Sequence, residues 1–255
     1  MIDLKSLTVT ALPGIPLIQP GDDLVNIILA ALKRAQLELQ DGDTLVVTSK
    51  IVSKAEGRMV DLNTVTPGVE AIELANETLK DPRIVELVLR ESVEISRRAP
   101  GVLITRHRLG FVSANSGIDQ SNVAEDDEKV LLLPQNPDAS AKMIRDCLYE
   151  ITGKSVGIVI SDSHGRPFRM GNVGVAIGVA GMPALIDLRG QPDLFGRELR
   201  VSTQGYADLL ASAAHLVCGE GYEGLPVVFV RGLAYSSNGG QASDLNRPGE
   251  HDLYR

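Results

Sequence analysis

Three acidic segments, far apart in this chain, each follow an apolar run or a helical pattern and are rich in glycine, serine or asparagine. They span residues 115–122, 161–167 and 219–224. Small residues let other atoms come close to the backbone, and carboxylate oxygens are the ligands that Mg²⁺ and Mn²⁺ prefer in proteins. A fold for this chain has to place such element ends where a ligand can reach them. The pattern favours an enzyme that handles nucleotides with divalent metals.

The composition limits the class of protein. A chain of 255 residues with 44% hydrophobic residues can build a real core, in one large domain or two small ones. The net charge of −8 argues against a general nucleic-acid partner. The first residues lack the apolar stretch of a signal peptide, and the longest uncharged run, residues 170–186, is rich in glycine and shorter than a typical spanning helix. We therefore expect a cytoplasmic protein with no membrane partner, and we expect Cys147 and Cys218 to be buried free thiols.

Periodicity and capping residues give a coarse secondary structure. Helices are predicted over residues 22–40, 69–80, 82–92, 138–152 and 205–218. Buried strands are predicted at residues 45–47, 156–160 and 226–230, and a hairpin within residues 102–114. Helices and strands mix without a regular βαβ rhythm. The expected fold class is therefore α+β (mixed α/β), an irregular architecture of two subdomains whose boundary the sequence does not reveal.

Two nucleotide-binding folds are excluded by their motifs. Gly219, Gly221 and Gly224 match G-x-G-x-x-G, but the motif follows a helix, precedes a strand and carries two glutamates where a pyrophosphate would lie. The chain contains no G-x-x-x-x-G-K-[ST] either, so it is neither a Rossmann nor a P-loop protein. The alternative for this segment is a glycine that ends a helix, followed by a turn.

Asp119 and Asp162 are the first candidates for metal ligands. Asp119 would be a hard oxygen ligand, with Asn122 as a neutral donor nearby; the alternative is a turn closed by their side chains. Asp162 comes two residues after a predicted strand, and the alternative is a cap or turn residue. Ser163 could add a hydroxyl ligand.

Several basic and glycine residues extend the hypothesis. Lys50 and Lys54 would face the same side of an extended segment and could reach phosphates, or they are ordinary surface lysines. Arg166 and Arg169 could bind anionic oxygens in pairs of hydrogen bonds. Glycines between residues 171 and 181 indicate close backbone approach, interpreted as packing against a neighbouring strand. The four histidines show no metal-ligand spacing, and only His164 adjoins a candidate site.

Six segments together resemble a known family. They are residues 14–18, 52–58, 114–122, 161–167, 171–178 and 219–226. The chain resembles the coenzyme F420-0:L-glutamate ligase (F420 gamma-glutamyl ligase) family from about residue 10 to residue 232. Each motif alone is weak, but the set is specific.

The resemblance implies a function and a set of partners. Members use GTP to join L-glutamate to a deazaflavin coenzyme through an acyl phosphate and extend a γ-linked tail. The resemblance also implies two divalent cations (Mg²⁺ or Mn²⁺), a monovalent cation such as K⁺, a homodimer and a two-part α+β fold. Residues 1–255 would form one ligase-like domain without the C-terminal nitroreductase-like domain of some bacterial members.

By motif, the resemblance also implies site residues. The residues implied to contact GTP are Gly14, Ile15, Pro16, Leu17, Ser49, Lys50, Lys54, Asn122, Cys218, Gly219, Gly221, Tyr222, Glu223, Gly224 and Leu225. Asp119 and Asp162 would hold one metal, and Ser163 and Glu220 the other. Ser163 and His164 stand where the family motif has a threonine and an aromatic residue. Ser163 keeps the hydroxyl group, whereas His164 changes the contacts beside it.

Two other functions stay open at the level of the residues. A metal-dependent phosphatase or nucleotidase could use the same carboxylates to activate water. A non-catalytic nucleotide-binding protein could use the same cavity without turnover.

Overall fold

The computed structural model describes residues 6–123, 127–235 and 239–251. Six helices lie in these ranges: α1 Leu24–Arg34, α2 Ser49–Ala55, α3 Val69–Thr78, α4 Pro82–Glu91, α5 Pro137–Thr152 and α6 Tyr206–Cys218. The first six strands are β1 Thr8–Ala11, β2 Thr44–Thr48, β3 Met59–Asp61, β4 Ser92–Ala99, β5 Val102–His107 and β6 Val112–Ala114. The others are β7 Lys129–Leu131, β8 Gly157–Arg166, β9 Arg169–Ala180, β10 Leu185–Asp187, β11 Thr203–Gly205 and β12 Val227–Arg231. The expected α+β class is confirmed.

A five-stranded sheet in the order β1-β12-β2-β8-β9 forms the centre of the larger part. Strands β2 and β8 run parallel, and the other neighbours in this sheet are antiparallel. Alternate side chains of β2 point to opposite faces, as a pleated strand requires. Leu45 and Val47 pack on the face covered by α1 and α5, whereas Val46 packs on the face covered by α6. The sheet is therefore buried on both faces.

A smaller set of elements lies between α2 and α5 in the chain. It contains the pair β3 and β7, the helices α3 and α4, and the sheet β4-β5-β6. Its apolar side chains form two clusters of their own, one around Leu74, Val85 and Leu103 and one around Leu62 and Val130. The division into two subdomains within one domain stays a prediction. Within the described residues, no helix is both long and apolar enough to span a bilayer.

Local chemistry explains where the helices begin and end. Asp23 caps α1 by accepting from the backbone N–H of Asn26, and Asp81 caps α4, whose first residue is Pro82. The helix predicted for residues 22–40 is too long, because α1 ends at Arg34 and Gln36 adopts a positive φ of 57°. Strand β4 was missed because most of its side chains are exposed, so its sequence lacks a clear apolar alternation.

Three local predictions near the acidic segments were wrong. Lys50 and Lys54 lie on helix α2 and not on an extended segment, so they share a face because they are one turn apart. Asp162 lies inside the ten-residue strand β8 and not in a loop. Gly174 and Gly178 of β9 come close to helices and not to another strand: a Cβ on Gly178 would lie 2.6 Å from the carbonyl carbon of Pro137 in α5, whereas a Cβ on Gly171 would meet no atom within 4 Å.

Candidate functional site

The acidic segments meet at one edge of the central sheet. Because β2 and β8 are parallel, their carboxyl ends lie side by side, with Thr48 paired to Ser161. Strand β12 runs antiparallel to β2, so the segment that enters β12 arrives at the same edge. The backbone N–H of Thr48 donates to the carbonyl oxygen of Pro226 at 2.9 Å. This topology brings residues 49–54, 161–163 and 219–226 together although they are distant in sequence.

A cavity of about 420 Å³ opens at this edge. Every predicted GTP-contacting or metal-binding residue lines it, with the exception of Gly14. The Gly14 carbonyl oxygen instead accepts a 2.7 Å hydrogen bond from Arg34 Nη1 of α1. The cavity also has lining residues that were not predicted: Ile18, Thr48, Ile51, Ser121, Ser161, His215 and Pro226.

The two lysines of α2 hold the segment that carries Asp119. Lys50 Nζ lies 2.7 Å from Asp119 Oδ2 and donates to the carbonyl oxygen of Ser121 at 2.7 Å. Lys54 Nζ donates to the carbonyl oxygen of Asn122 at 2.9 Å. This wall of the cavity therefore carries two positive charges and one negative charge.

These contacts shift the pKa values of two groups. Burial lowers the pKa of the Lys54 ammonium, and the positive charge of Lys50 adds to this effect against the opposing charge of Asp119. Burial would raise the pKa of the Asp119 carboxyl, but hydrogen bonds from Lys50 and Ser121, together with the Lys50 charge, bring it below its usual value. Asp119 is thus ionised at neutral pH, as a metal ligand must be.

Asp162 is held on both of its carboxylate oxygens. Ser49 Oγ, at the first residue of α2, donates to Asp162 Oδ1 at 2.9 Å. His164 Nε2 lies 3.0 Å from Asp162 Oδ2. Residues 162 and 164 are two apart on β8, so their side chains share a face of the strand.

The carboxylate of Glu220 contacts Ser163 and His215. Ser163 Oγ lies 2.8 Å and 3.0 Å from the two oxygens of Glu220. His215 Nδ1, in the last turn of α6, lies 3.0 Å from Glu220 Oε1. The backbone turns directly after α6 at Gly219, whose φ of 74° favours glycine, and this turn aims Glu220 at the cavity. The alternative proposed for this glycine, ending a helix, is also true.

The loop after Gly219 is tied to the opposite wall. Asn122 Nδ2 donates to the carbonyl oxygen of Gly221 at 2.9 Å, and the backbone N–H of Gly221 donates to Glu223 Oε2 at 2.8 Å. Burial raises the pKa of the Cys218 thiol, and the charges of Glu220 and Glu223 raise it further. Cys218 is therefore a neutral thiol in the cavity wall and not a reactive thiolate.

The donor set fits hard divalent cations. Carboxylate and hydroxyl oxygens from Asp119, Asp162, Ser163 and Glu220 face one cavity, and these are ligands that Mg²⁺ and Mn²⁺ accept. Among the described residues, no three acidic, histidine or cysteine side chains converge on a single point. Mg²⁺ is commonly bound through one or two carboxylates together with substrate phosphates, so this sparse set is compatible with a nucleotide-assisted site.

The structure differs from the sequence predictions at two arginines and one histidine. Arg166 and Arg169 occupy paired positions in the β8–β9 ladder, next to the turn that joins the two strands. They do not line the cavity. His215 was not predicted to adjoin a candidate site, but its Nδ1 contacts Glu220. Its position five residues before Glu220, at the end of a helix that leads into an acidic loop, was the available signal.

Sequence comparisons with known proteins identify the family that this chain resembles. The family model described as F420-0:Gamma-glutamyl ligase matches residues 14–232. The chain is 48% identical over 221 residues to the coenzyme F420:L-glutamate ligase of Methanocaldococcus jannaschii, which covers 87% of this chain and 88% of the relative. It is 44% identical over 252 residues to the protein of the same name from Methanothermobacter thermautotrophicus, covering 98% and 99% of the two chains. The protein of that name from Archaeoglobus fulgidus is 43% identical over 242 residues, covering 95% and 94%.

Proposed function

The chain belongs to the F420-0:gamma-glutamyl ligase family and is a ligase, and from that premise we propose that it adds L-glutamate to coenzyme F420-0 with GTP as the energy source. It then extends the γ-linked glutamyl tail of this deazaflavin coenzyme. The observation that carries the proposal is the convergence of three separate acidic segments and two lysines on one cavity. A purely structural role for these residues would not require them to share a ligand-sized space.

Amide formation from a carboxylate needs an activated acyl group, and GTP supplies it. The carboxylate oxygen of the coenzyme attacks the γ-phosphorus, GDP leaves, and an acyl phosphate forms. The glutamate amine then attacks the acyl carbon, inorganic phosphate leaves, and the nitrogen loses a proton. The enzyme's main contribution to such phosphoryl transfer is to position the groups and to stabilise negative charge.

The basic and the acidic residues of the cavity have different roles in this reaction. Lys50 and Lys54 present ammonium groups to the phosphates from helix α2, and residues 219–225 surround the nucleotide from the opposite side. Asp119 and Asp162 would hold one divalent cation, and Ser163 and Glu220 the other. When bound, these ions neutralise charge on the phosphates. Without them, the carboxylates would repel a polyanionic substrate. A monovalent cation such as K⁺ belongs to the same proposal.

We place the reaction in a homodimer. Several apolar side chains near the turn between β8 and β9, in the segment after β10 and near the cavity are almost fully exposed in a single chain. They are Phe168, Met170, Leu194, Phe195, Val201, Leu216 and Tyr222. Exposed apolar side chains in such number favour a protein partner, and a second copy of the chain is the partner that we propose.

Product analysis tests the proposal. The full chain is incubated with F420-0, L-glutamate, Mn²⁺ and GTP, and the products are identified by mass spectrometry. We expect the coenzyme to gain one or more glutamyl residues while GDP and phosphate appear in equal amounts. Reactions without the coenzyme and without glutamate distinguish a ligase from a phosphatase. Full-rate phosphate release in their absence would favour the phosphatase. Binding of GTP without any turnover would favour a non-catalytic protein.

A further inference from the structure

His164 touches the candidate metal site but has no role in the reaction as proposed. Its side chain is 10% accessible, and Nε2 lies 3.0 Å from Asp162 Oδ2. A carboxylate that serves as a metal ligand only accepts hydrogen bonds, so we assign the proton of this contact to Nε2. The imidazole therefore holds one oxygen of Asp162.

The ring of His164 is itself held from the smaller part of the molecule. The ring centroid of Phe111, between β5 and β6, lies 4.9 Å from that of His164, and the two ring planes are inclined by 51°. Phe111 also stacks against His107, with centroids 5.1 Å apart and planes inclined by 3°. His107 is fully buried. The contact with Phe111 therefore limits the movement of the His164 ring on that side.

The other oxygen of Asp162 accepts from Ser49, so both oxygens of this carboxylate are fixed. A free carboxylate can rotate about two side-chain bonds, and fixing both oxygens removes that freedom before a ligand arrives. We propose that His164 is a positioning residue for Asp162 and that its hydrogen bond strengthens divalent-cation binding in the cavity. The inference rests on the proposed role of Asp162 as a metal ligand, and it adds a residue that acts on the ion through Asp162.

Two substitutions separate the hydrogen bond from the packing of the ring. His164→Phe keeps an aromatic ring against Phe111 but removes the donor. His164→Gln loses the ring but offers an amide N–H at a similar distance from the backbone. Loss of a hydrogen bond to a metal ligand typically weakens binding of the metal about 10- to 100-fold. We therefore expect this loss for His164→Phe and near-normal affinity for His164→Gln.

The measurement is Mn²⁺ binding to the full chain in the presence of a non-hydrolysable GTP analogue, read from the electron paramagnetic resonance signal of free Mn²⁺ and corrected for the Mn²⁺ that the analogue binds alone. Asp162→Asn is measured beside the two variants, and thermal melting confirms that each protein is folded. In the Asp162→Asn background, His164→Phe should cause no further loss, because the residue acts through Asp162.

The outcomes distinguish this inference from its premise. If Asp162→Asn weakens Mn²⁺ binding and His164→Phe does not, the positioning role is overturned and the proposed metal site survives. If His164→Phe and His164→Gln weaken binding equally, the hydrogen bond to Asp162 does not account for the loss, which also overturns the positioning role. If Asp162→Asn leaves Mn²⁺ binding unchanged, the proposed metal role of Asp162 fails, and the inference fails with it.

Discussion

Glu220 is the most exposed of the three candidate metal-binding carboxylates. Its side chain is 53% accessible, compared with 36% for Asp119 and 19% for Asp162. It lies in a glycine-rich loop at the cavity, where its charge would repel nucleotide phosphates unless a cation lies between them. The sign of its effect on nucleotide binding therefore reports whether a metal is present.

Glu220→Gln keeps the shape of the side chain and removes its charge. If Glu220 is a metal ligand, the variant should need roughly 10-fold more Mn²⁺ for half-maximal activity and bind a GTP analogue more weakly at limiting Mn²⁺. Activity assays over a range of Mn²⁺ concentrations measure the first effect, and calorimetric titration of the analogue at several Mn²⁺ concentrations measures the second.

The matched control is Glu70→Gln, which makes the same charge change at an exposed position in the first turn of α3. It should change neither quantity. Tighter binding of the analogue to the Glu220 variant would reject the metal assignment, because it would show that the charge only repels phosphate.

At the scale of elements, close packing between β9 and helix α6 sets the position of Glu220. A Cβ on Gly174 would clash with the carbonyl oxygen of Ala211 and lie 2.6 Å from Cδ2 of His215. Gly174→Ala should therefore push α6 away from the sheet and destabilise the fold by about 1–3 kcal/mol. Because α6 leads directly into the loop of Glu220, the same variant should also raise the Mn²⁺ requirement.

Urea unfolding measures the stability change, with Gly165→Ala as the control in the adjacent strand. The nearest atom to a Cβ on Gly165 is Asn172 Oδ1 at 3.8 Å, which is an ordinary contact. The control should remain close to the wild type. Equal unfolding midpoints for the two variants would show that α6 has room to move and that the close approach is unimportant.

The same scale shows what the sequence could predict. Helix α4 was predicted almost to the residue, because an aspartate cap followed by proline is a local signal. Helix α2 was not predicted, because it has only seven residues and follows a strand without a side-chain cap. The partners of the site residues also escaped prediction. The contact between His164 and Asp162 spans two residues, but it required knowing that β8 continues through both of them.

Sequence motifs were more informative about the cavity than about its contacts. The acidic segments and the lysines were selected because their residue types fit phosphate and metal chemistry, and the sheet topology brings them together. The pairing of Lys50 with Asp119 depends on segments about seventy residues apart, with most of the smaller set of elements between them. No local pattern encodes such a contact.

At the scale of the whole molecule, Glu91 connects the smaller set of elements to the larger one. This last residue of α4 accepts from Arg58 Nη2 at 2.9 Å and from Arg108 Nε at 3.1 Å. Both arginines also donate to backbone carbonyls in the segment that leads into α5. Burial would raise the pKa of Glu91, but His107, Arg58 and Arg108 together lower it to about 2.

The lowered pKa of Glu91 predicts how stability depends on pH. Because the pKa in the folded state lies below the ordinary value of 4.5, the contribution is complete above about pH 4.5 and is lost as the pH falls towards 2. Glu91→Gln should therefore lower the free energy of unfolding by roughly 3 kcal/mol at pH 7 and flatten its decline between pH 4.5 and pH 2. Chemical unfolding curves across this range test both effects.

Glu77→Gln is the control, because Glu77 forms an ion pair with Arg98 in which both side chains are about half exposed. Such surface pairs contribute about 0–1 kcal/mol. An unchanged pH profile for Glu91→Gln would show that the buried cluster does not connect the two sets of elements energetically.

The oligomeric state is a property of the whole molecule. Phe168 and Met170, around the turn between β8 and β9, are 95% and 96% exposed in a single chain. Each such side chain gains about 1.5–3 kcal/mol when it is fully buried, so a second copy that covers this turn would be strongly favoured. We expect sedimentation to give twice the mass of one chain, and the double variant Phe168→Asp, Met170→Asp to sediment as a monomer.

Val69→Asp, which charges another exposed apolar residue at the first position of α3, should stay dimeric. A double variant that remains dimeric would move the interface away from this turn, whereas a wild-type chain that is monomeric at all concentrations would remove the dimer from the proposed function.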